Sequence, residues 1–338
     1  MKKLFTTAAL LLMSLVFTVP AFAAESDRYI AADIDGHWAQ SYIDNFLNAD
    51  FVKGKYIDAD GYTHFDPDGY MTRAEFVVAL VQILGLNTDL PGKNFEDVRS
   101  GYWYTNQIRI ASALGIVNGI DAAHFGVSKK ITRAEMATMI VQAFESKQSI
   151  TFNTGTTQFT DVPQFYATES IEKAYNTGII SGTTATTFSP KNWATRAQVM
   201  VVLNRAVMKE NTSLPSEAEL FDAINRSVKE QVEAINTGPI DNYLTNFTGY
   251  ELAYHMDAVE EMKDMINNNV QFKAEILSEE QLKVSELSDR LAVVDSTGGK
   301  IKVTATYQNS TQEETESLDG RYYLIKVGDI WKIYNEEQ

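Results

Sequence analysis

Apolar residues recur at a helical period in three stretches of the chain, and each stretch follows the same four-residue segment. The segment is Thr-Arg-Ala-Glu in two copies and Thr-Arg-Ala-Gln in the third, at residues 72–75, 132–135 and 195–198. A threonine followed three positions later by Glu or Gln is typical of a capping box, in which the two residues satisfy each other's backbone N–H groups. The apolar positions that follow, such as Phe76, Leu80 and Leu84, predict one buried helix face. The pattern therefore predicts three capped helices.

A second, shorter amphipathic segment precedes each capped helix. It begins with an aspartate, and an aromatic residue follows after five or six positions; these residues are Asp33, Asp97 and Asp161, with Trp38, Trp103 and Tyr166. The segment ends in Gly-Ile-x-x-Gly at residues 115–119 and 178–182, because glycine accepts the left-handed conformation that terminates a helix. In the first copy Asp50 replaces the first glycine and Gly54 is retained. Each copy is predicted to be a helix, a loop and a capped helix, which cannot bury a core alone.

The hydrophobic period changes in the C-terminal part of the chain. The polar residues 209–215 predict a linker, and Ser216 begins another capping box that precedes residues with helical spacing. Gly238 is followed by proline, which predicts the end of that helix. From Phe272 onward the apolar residues alternate with a period of two, which predicts antiparallel strands. Helices followed by strands indicate a domain distinct from the helical repeats.

The turns and the order of elements indicate the class of this C-terminal domain. Gly298-Gly299 and Gly328-Asp329 are predicted to form hairpin turns between strands. The order of helices and then strands, ending in Trp331-Lys332-Ile333, resembles the nuclear-transport-factor-like fold. That resemblance implies helices packed on a curved antiparallel sheet. We therefore expect a small α+β domain over residues 216–338, which lies within the usual range of domain sizes.

The three helical copies resemble the S-layer homology (SLH) repeat. The residues that carry the resemblance are Phe-x-Asp-Val, the aromatic residue after it, Gly-Ile-x-x-Gly, Phe-x-Pro and Thr-Arg-Ala-Glu, within residues 32–208. The resemblance divides this region into repeats at residues 32–90, 91–150 and 155–208. It implies an all-α, pseudo-threefold trimer of repeats within one chain. It also implies attachment to a secondary cell-wall polysaccharide or peptidoglycan-linked polymer, commonly pyruvylated, that lies in grooves between repeats.

The N-terminal residues and the composition indicate an exported protein. Lys2 and Lys3, an apolar run and Ala21-Phe22-Ala23 predict a cleaved signal peptide over residues 1–23, after which no segment could span a bilayer. The chain has no cysteine, which excludes disulfides and thiolate metal sites. Its net charge of −16, or −18 without the two lysines, argues against nucleic acid and anionic membranes as partners. We expect a secreted protein of the cell wall or S-layer.

An arginine follows the capping threonine in every copy, as Arg73, Arg133 and Arg196. A cation at a helix N-terminus is unfavourable by about 0.3–1 kcal/mol, so its recurrence favours a ligand-binding role. A guanidinium can bind a carboxylate through two parallel hydrogen bonds, which suits the pyruvate ketal that the resemblance implies. The alternative is that these arginines are solvated residues that pair with the nearby aspartates.

The predicted polysaccharide-binding residues occupy four equivalent positions of the copies. They are Arg73, Arg133, Arg196, Asp33, Asp97, Asp161, Trp38, Trp103, Tyr166, Gly54, Gly119 and Gly182. The aspartates can equally cap turns or orient the arginines, and large rings at helical spacing are more often core residues than sugar platforms. The glycines are expected to be mainly conformational. Because the copies differ at Gln198 and Asp50, we expect unequal grooves.

The sequence predicts no catalytic residue, no metal site and no cofactor. Asp58-Ala-Asp60-Gly61 and Asp66-Pro-Asp68-Gly69 lack the ligand spacing of calcium loops. In the C-terminal domain His255 has no partner that the sequence places, and Glu251 and Glu260-Glu261 are expected on a solvated helix face. We therefore predict a non-enzymatic protein whose C-terminal domain is displayed for interaction or assembly. The alternatives are an enzyme or small-ligand-binding protein tethered by the same repeats, and a lattice-forming surface protein.

Overall fold

A computed structural model describes residues 25–337, so the predicted signal peptide at residues 1–23 lies outside the described residues. By their internal contacts the described residues divide into two compact units. The first, called the helical unit, comprises residues 32–46 and 65–213, and the second, called the α+β unit, comprises residues 25–31, 47–64 and 214–337. Across the described part of the chain, every helix is too short or too polar to cross a bilayer.

Six α-helices form in the described part of the region with the predicted repeats. Short helices alternate with capped ones: α1 Gln40–Asn48, α2 Arg73–Ile83, α3 Thr105–Ala113, α4 Arg133–Lys147, α5 Thr168–Asn176 and α6 Arg196–Val207. The predicted capping boxes are confirmed at Thr72, Thr132 and Thr195. After the short helices, Gly115 and Gly178 take φ values of 74° and 77°, and Asp50 takes 57°. Asp50 therefore forms the same left-handed turn as the glycines that it replaces.

The core of the helical unit fixes the loops between the paired helices. Phe65, Phe125 and Phe188 lie in these loops and each has 0% exposed surface. Helix α2 packs against α3, α4 packs against α5, and α6 contacts both α2 and α4. Burial of a phenylalanine side chain contributes roughly 1.5–3 kcal/mol, so each ring holds its loop firmly in place. The backbone carbonyl groups of these phenylalanines are consequently fixed as well.

A closed ring of backbone hydrogen bonds joins the segments that precede the capped helices. Met71 N donates to Ala194 O at 3.2 Å, Ala194 N donates to Ile131 O at 2.9 Å, and Ile131 N donates to Met71 O at 2.9 Å. A second set of N–H groups bonds in the opposite order around the copies: Arg73 donates to Lys129 O, Arg133 to Asn192 O and Arg196 to Gly69 O, at 2.8, 2.9 and 2.8 Å. Each capped helix therefore begins with its first N–H groups bonded to a different copy, which satisfies donors that a helix leaves open.

The α+β unit begins with short elements and two long helices. These are a 3-10 helix Glu25–Tyr29, strands β1 Tyr56–Ile57 and β2 Thr63–His64, helix α7 Glu217–Thr237, a 3-10 helix Asn242–Asn246 and helix α8 Gly249–Asn267. The predicted capping box at Ser216 begins α7, and Gly238 ends it with φ 55°. β1 pairs with β2 in an antiparallel hairpin. This hairpin contains the residues that the first copy has in excess of the others.

Seven strands follow α8 and form two antiparallel sheets. They are β3 Gln271–Ser278, β4 Gln281–Leu287, β5 Leu291–Thr297, β6 Lys300–Tyr307, β7 Ser310–Ser317, β8 Gly320–Val327 and β9 Ile330–Glu337. The strand orders are β3-β6-β7 and β4-β5-β8-β9. Gly328-Asp329 forms the predicted hairpin, with Val327 opposite Ile330. The hairpin prediction at Gly298-Gly299 is wrong, because β5 and β6 on either side of it pair with strands of different sheets.

The α+β unit has its own apolar core, in which α7 and α8 pack against strands. The core includes Phe247, Val259 and Trp331, and α7 contacts β3 and β9 while α8 contacts β9. Glu251 shares the buried face of α8 with His255, and its exposed fraction is 0%. The prediction that Glu251 is solvated is therefore wrong, because the buried stripe of α8 carries two ionisable residues.

Candidate functional site

The three predicted aspartates hold the loops that carry the buried phenylalanines. Asp33 accepts from Phe65 N and Asp66 N, both at 2.7 Å, and Asp161 accepts from Phe188 N and Ser189 N at 2.8 and 2.7 Å. Asp97 accepts three such bonds, from Phe125 N, Gly126 N and Val127 N at 2.7, 2.7 and 3.1 Å. These bonds stabilise a sharp bend, since Asp66, Gly126 and Ser189 have φ values of 59°, 85° and 60°. Each aspartate thus shapes the loop that an arginine contacts.

The three arginines are buried, and each reaches a different copy of the repeat. Their exposed fractions are 3% for Arg73, 6% for Arg133 and 4% for Arg196. Each Nε donates to a phenylalanine carbonyl, from Arg73 to Phe125 at 3.1 Å, from Arg133 to Phe188 at 2.8 Å and from Arg196 to Phe65 at 2.7 Å. Each guanidinium also lies over the ring of the same phenylalanine, at 5.0, 4.7 and 4.4 Å. The alternative that the arginines are solvated is therefore wrong. Their hydrogen bonds also connect each copy of the repeat to another copy.

The glutamates of the capping boxes have a second role that the sequence analysis missed. Glu135 Oε2 accepts from the Thr132 backbone and hydroxyl, while Glu135 Oε1 lies 2.7 Å from Arg73 Nη1. Glu75 Oε1 lies 3.7 Å from Arg196 Nη1 in the same way. In the third copy this position is Gln198, and Arg133 Nη2 instead donates to Ser181 O at 2.6 Å. One substitution therefore changes the charge balance around one arginine.

Burial influences the ionisation of two of these arginines. It lowers the pKa of Arg133, and the negative charge of Asp161 opposes that effect. It also lowers the pKa of Arg196, where Glu75 is the largest opposing charge. Because a guanidinium is not deprotonated in proteins, both side chains stay charged. The charges are therefore present in a region of restricted solvent, where their effect on a ligand is stronger than in water.

A cavity of about 540 Å³ opens beside Arg73. Its lining combines Arg73 from the first copy, Gly119 and Glu135 from the second and Tyr166 from the third. Partial burial raises the pKa of Tyr166, and the Glu135 carboxylate adds to this effect while Arg73 opposes it. The structure thus brings three predicted residues, Arg73, Gly119 and Tyr166, to one cavity, together with Glu135.

The predicted aromatic residues are exposed rather than buried. The exposed fractions are 63% for Trp38, 57% for Trp103 and 68% for Tyr166. The expectation that rings at helical spacing belong to the core is therefore wrong for all three. Trp38 and Trp103 are outside the lining of the Arg73 cavity. A large exposed ring has no stabilising role in the core, which leaves these rings accessible to a ligand.

The predicted glycines are held by close packing. A Cβ atom on Gly119 would lie 2.6 Å from His124 O, and one on Gly182 would lie 2.5 Å from Thr184 O. Gly54 belongs to the α+β unit, where it lines a separate cavity of about 220 Å³ with Arg28 and Tyr56. The glycines at Gly119 and Gly182 therefore allow a tight turn that any side chain would obstruct.

Among the described residues, a single group of three could hold a metal ion. Glu251 and His255 on α8 and Glu336 on β9 place their ligand atoms within 4.8 Å of one another. Glu251 Oε1 lies 3.4 Å from His255 Nε2, and the Tyr243 hydroxyl lies 3.4 Å from His255 Nδ1. Two carboxylates and an imidazole are suitable ligands for Zn²⁺ or Mn²⁺. The sequence analysis missed this group because α8 and β9 are far apart in the chain.

Comparisons with known proteins identify the helical copies. The S-layer homology domain family model matches residues 94–137 and 158–200, while the first copy lies outside the matched ranges. These ranges contain Asp97, Trp103, Gly119 and Arg133 in the second copy and their equivalents in the third.

Curated relatives are similar over part of the chain. "Exoglucanase XynX" of Acetivibrio thermocellus is 31% identical over 53% of this chain and 16% of its own length. The "Cellulosome-anchoring protein" of Acetivibrio thermocellus is 30% identical over 42% and 33%, respectively. An "S-layer protein" of Bacillus thuringiensis subsp. finitimus is 26% identical over 71% and 30%. The chain thus covers a third or less of each relative. Residues 94–137 and 158–200 therefore match the S-layer homology domain, and these similarities indicate a secreted protein associated with the cell wall.

Proposed function

We propose that residues 32–208 form a pseudo-threefold module of three SLH repeats that anchors the protein to an anionic cell-wall polysaccharide. The ring of hydrogen bonds through Met71, Ala194 and Ile131 supports the threefold arrangement, since equivalent atoms of each copy bond to the next. The arginines support it in the same way, because each one donates to the phenylalanine carbonyl of the following copy in cyclic order. The ligand sites are the grooves between copies.

The observation that carries this proposal is the position of the three arginines. Each is the first residue of a capped helix, where the positive end of the helix dipole attracts anions. A guanidinium donates two parallel hydrogen bonds to a carboxylate, such as the pyruvate ketal of an acidic sugar. The protein as a whole has a net charge of −16, so only such local clusters favour an acidic polymer.

The shape and lining of the grooves suit a sugar chain. The cavity beside Arg73, about 540 Å³, lies within the range of about 300–1,000 Å³ that is usual for ligand pockets. Tyr166 at its edge, with Trp38 and Trp103 in the equivalent turns before α1 and α3, supplies exposed rings against which the apolar face of a sugar can pack. The relative named as a cellulosome-anchoring protein is consistent with an anchoring role for the matched region. The C-terminal domain would then be displayed at the surface for interaction.

Co-sedimentation with purified cell-wall sacculi tests the proposal. The full-length protein is expected in the pellet at low ionic strength, and less of it at 1 M salt, where the Debye length falls to about 3 Å. Sacculi stripped of their wall polysaccharide serve as the control and should leave the protein in solution. Recovery of the protein in the supernatant with intact sacculi at low salt would contradict anchoring.

A second candidate function concerns the α+β unit alone. Glu251, His255 and Glu336 favour a tethered protein that binds a metal ion or small ligand in its C-terminal domain. His255 is held in orientation by the Tyr243 hydroxyl, 3.4 Å from Nδ1, and by the Phe247 ring, whose centroid lies 4.1 Å from that of the imidazole.

Calorimetric titration of the full-length protein with Zn²⁺ and Mn²⁺ tests the second candidate. Saturable binding that is lost in Glu336→Gln would support it, with His124→Gln as the control for a solvent-exposed histidine. Absence of saturable heat with the wild-type protein would exclude it.

A further inference from the structure

The grooves beside Arg73 and Arg133 differ at two equivalent positions. The Arg73 groove contains Glu135 and, seven residues later on the same helix, Gln142. At the corresponding positions of α6 the Arg133 groove has Gln198 and Arg205. We define the Arg133 groove by Arg133, Ser181, Gln198 and Arg205. The Arg133 groove therefore has a cation, Arg205, where the Arg73 groove has an amide, and an amide, Gln198, where the Arg73 groove has a carboxylate.

The hydrogen bonds place both cations of the Arg133 groove at one residue. Arg133 Nη2 donates to Ser181 O at 2.6 Å, and Arg205 Nη1 donates to Ser181 Oγ at 3.3 Å. Ser181 precedes Gly182 in the Gly-Ile-x-x-Gly turn, so this turn is where the two guanidinium groups approach each other. The equivalent turn in the Arg73 groove contains Asn118 and Gly119, which line the cavity beside Arg73.

The charge balance of the two grooves is consequently different. Arg73 and Glu135 form an ion pair at 2.7 Å, so these two charges cancel within the Arg73 groove. Arg196 has Glu75 at 3.7 Å and Gln82 at the position of Gln142. Within residues 25–337 neither Arg133 nor Arg205 has a carboxylate at ion-pair distance. The Arg133 groove alone among the three thus combines two cations with an uncharged capping residue.

We propose that the Arg133 groove is the anion-selective subsite, and that it binds the carboxylate of an acidic sugar through Arg133 and Arg205. The Arg73 groove takes the uncharged part of the polymer. This inference rests on the proposed anchoring function and specifies which groove binds the acidic substituent. A guanidinium has five N–H donors, and Phe188 O and Ser181 O use two of those of Arg133. The others can bind a ligand. Arg73 also uses two donors, but one of them bonds the Glu135 carboxylate, which neutralises the charge of the guanidinium.

Two capping residues provide matched variants for the experiment. Gln198→Glu introduces the carboxylate that the Arg73 groove has, and Glu135→Gln removes it there. Both substitutions keep a capping box, because Glu and Gln each occupy this position in the native chain. Arg205→Gln similarly introduces the residue of the second copy, Gln142. These variants change the charge while the local fold keeps a residue that it already accepts.

The test is calorimetric titration of the full-length protein with a monosaccharide carrying a pyruvate ketal, and with the same sugar lacking it. Gln198→Glu and Arg205→Gln are each expected to weaken binding of the ketal sugar about tenfold, because a charge at about 4 Å changes the interaction by this order. Glu135→Gln, which removes a carboxylate instead of introducing one, should not weaken binding of the ketal sugar. Binding of the uncharged sugar should be the same in all three variants.

The outcomes separate this inference from the anchoring function. If the wild type binds neither sacculi nor the ketal sugar, the anchoring proposal itself is contradicted. If the wild type binds both, but Gln198→Glu and Arg205→Gln bind the ketal sugar as tightly as wild type, the assignment to the Arg133 groove is overturned. A tenfold loss in these two variants with retained affinity in Glu135→Gln supports the assignment.

Discussion

An Asp97→Ala variant is expected to lose roughly 3 kcal/mol or more of its free energy of unfolding, since each stranded N–H group costs about 1–3 kcal/mol. The two oxygens of the Asp97 carboxylate accept from Phe125 N, Gly126 N and Val127 N, and alanine offers no acceptor to any of them. The bonds hold Gly126 at φ 85° and the Phe125 ring in the core. Urea denaturation followed by circular dichroism at 222 nm measures the loss.

Asp121→Ala is the matched control for this prediction. The Asp121 carboxylate also accepts two backbone N–H bonds, from Ala123 and His124 at 2.8 Å, but in an exposed turn. Water can replace it there, so the expected loss of stability is much smaller than for Asp97→Ala. Equal losses for the two variants would contradict the role of Asp97 in holding the loop.

The contribution of Asp97 should also depend on pH. Burial raises the pKa of Asp97, but the bonds from Phe125, Val127 and Gly126 outweigh burial, and the pKa lies below its usual value of 3.8. Since the folded state favours the ionised form, this stability is complete above about pH 4 and is lost as the pH falls through the lower folded pKa. The difference in stability between wild type and Asp97→Ala should therefore shrink below about pH 4.

An Arg133→Ala variant is expected to lose both stability and binding to wall polymer. The substitution removes the donors to Phe188 O and Ser181 O and the contact with the Phe188 ring. The expected loss in free energy of unfolding is about 2–4 kcal/mol, from two unsatisfied carbonyls and one cation–π contact. Affinity for intact wall polymer should fall at least tenfold, which corresponds to about 1.4 kcal/mol.

Two further variants separate binding from folding. Arg133→Lys keeps the charge but not the planar fork, so it should retain most of the stability and still bind the polymer more weakly. Arg109→Ala is the matched control, because Arg109 also donates to two carbonyl groups, Leu90 O and Thr88 O, but lies outside both grooves. Loss of binding in Arg109→Ala comparable to that in Arg133→Ala would show that destabilisation alone explains the effect.

The sequence predicted the features that depend on neighbouring residues. The capping boxes at Thr72, Thr132 and Thr195 follow from residues three positions apart, and the structure confirms them. The role of Asp50 could not be foreseen, since an aspartate can continue a chain in several conformations, yet here it takes the left-handed one. Local patterns therefore located the helices of the repeats correctly.

The sequence-based predictions were wrong or incomplete where a residue contacts a distant part of the chain. Arg73 and Arg133 are charged residues that the sequence alone would place at the surface. Only the folded structure shows that they are buried and donate to the carbonyl groups of Phe125 and Phe188. Glu135 was interpreted as a cap alone because its contact with Arg73 joins different copies. Similarly, the burial of Glu251 depends on how α8 packs within the C-terminal core.

The sheets were harder to predict than the helices. Strand β7, Ser310–Ser317, has no apolar residue, so an alternation of hydrophobic positions cannot reveal it. It forms because β6 offers an edge of unpaired backbone groups, with which β7 pairs in register from Lys300 opposite Ser317 to Tyr307 opposite Ser310. Gly298-Gly299 connects β5 in one sheet to β6 in the other, and a connection of this kind has the same sequence pattern as a hairpin turn.

The most direct test of the account is calorimetric titration of the full-length protein with purified wall polysaccharide before and after chemical removal of its acidic substituents. If arginine grooves recognise the anionic groups, the intact polymer should bind, and removal of the acidic groups should weaken binding at least tenfold. Equal affinity for the two polymers would contradict recognition of the anion by the arginine grooves.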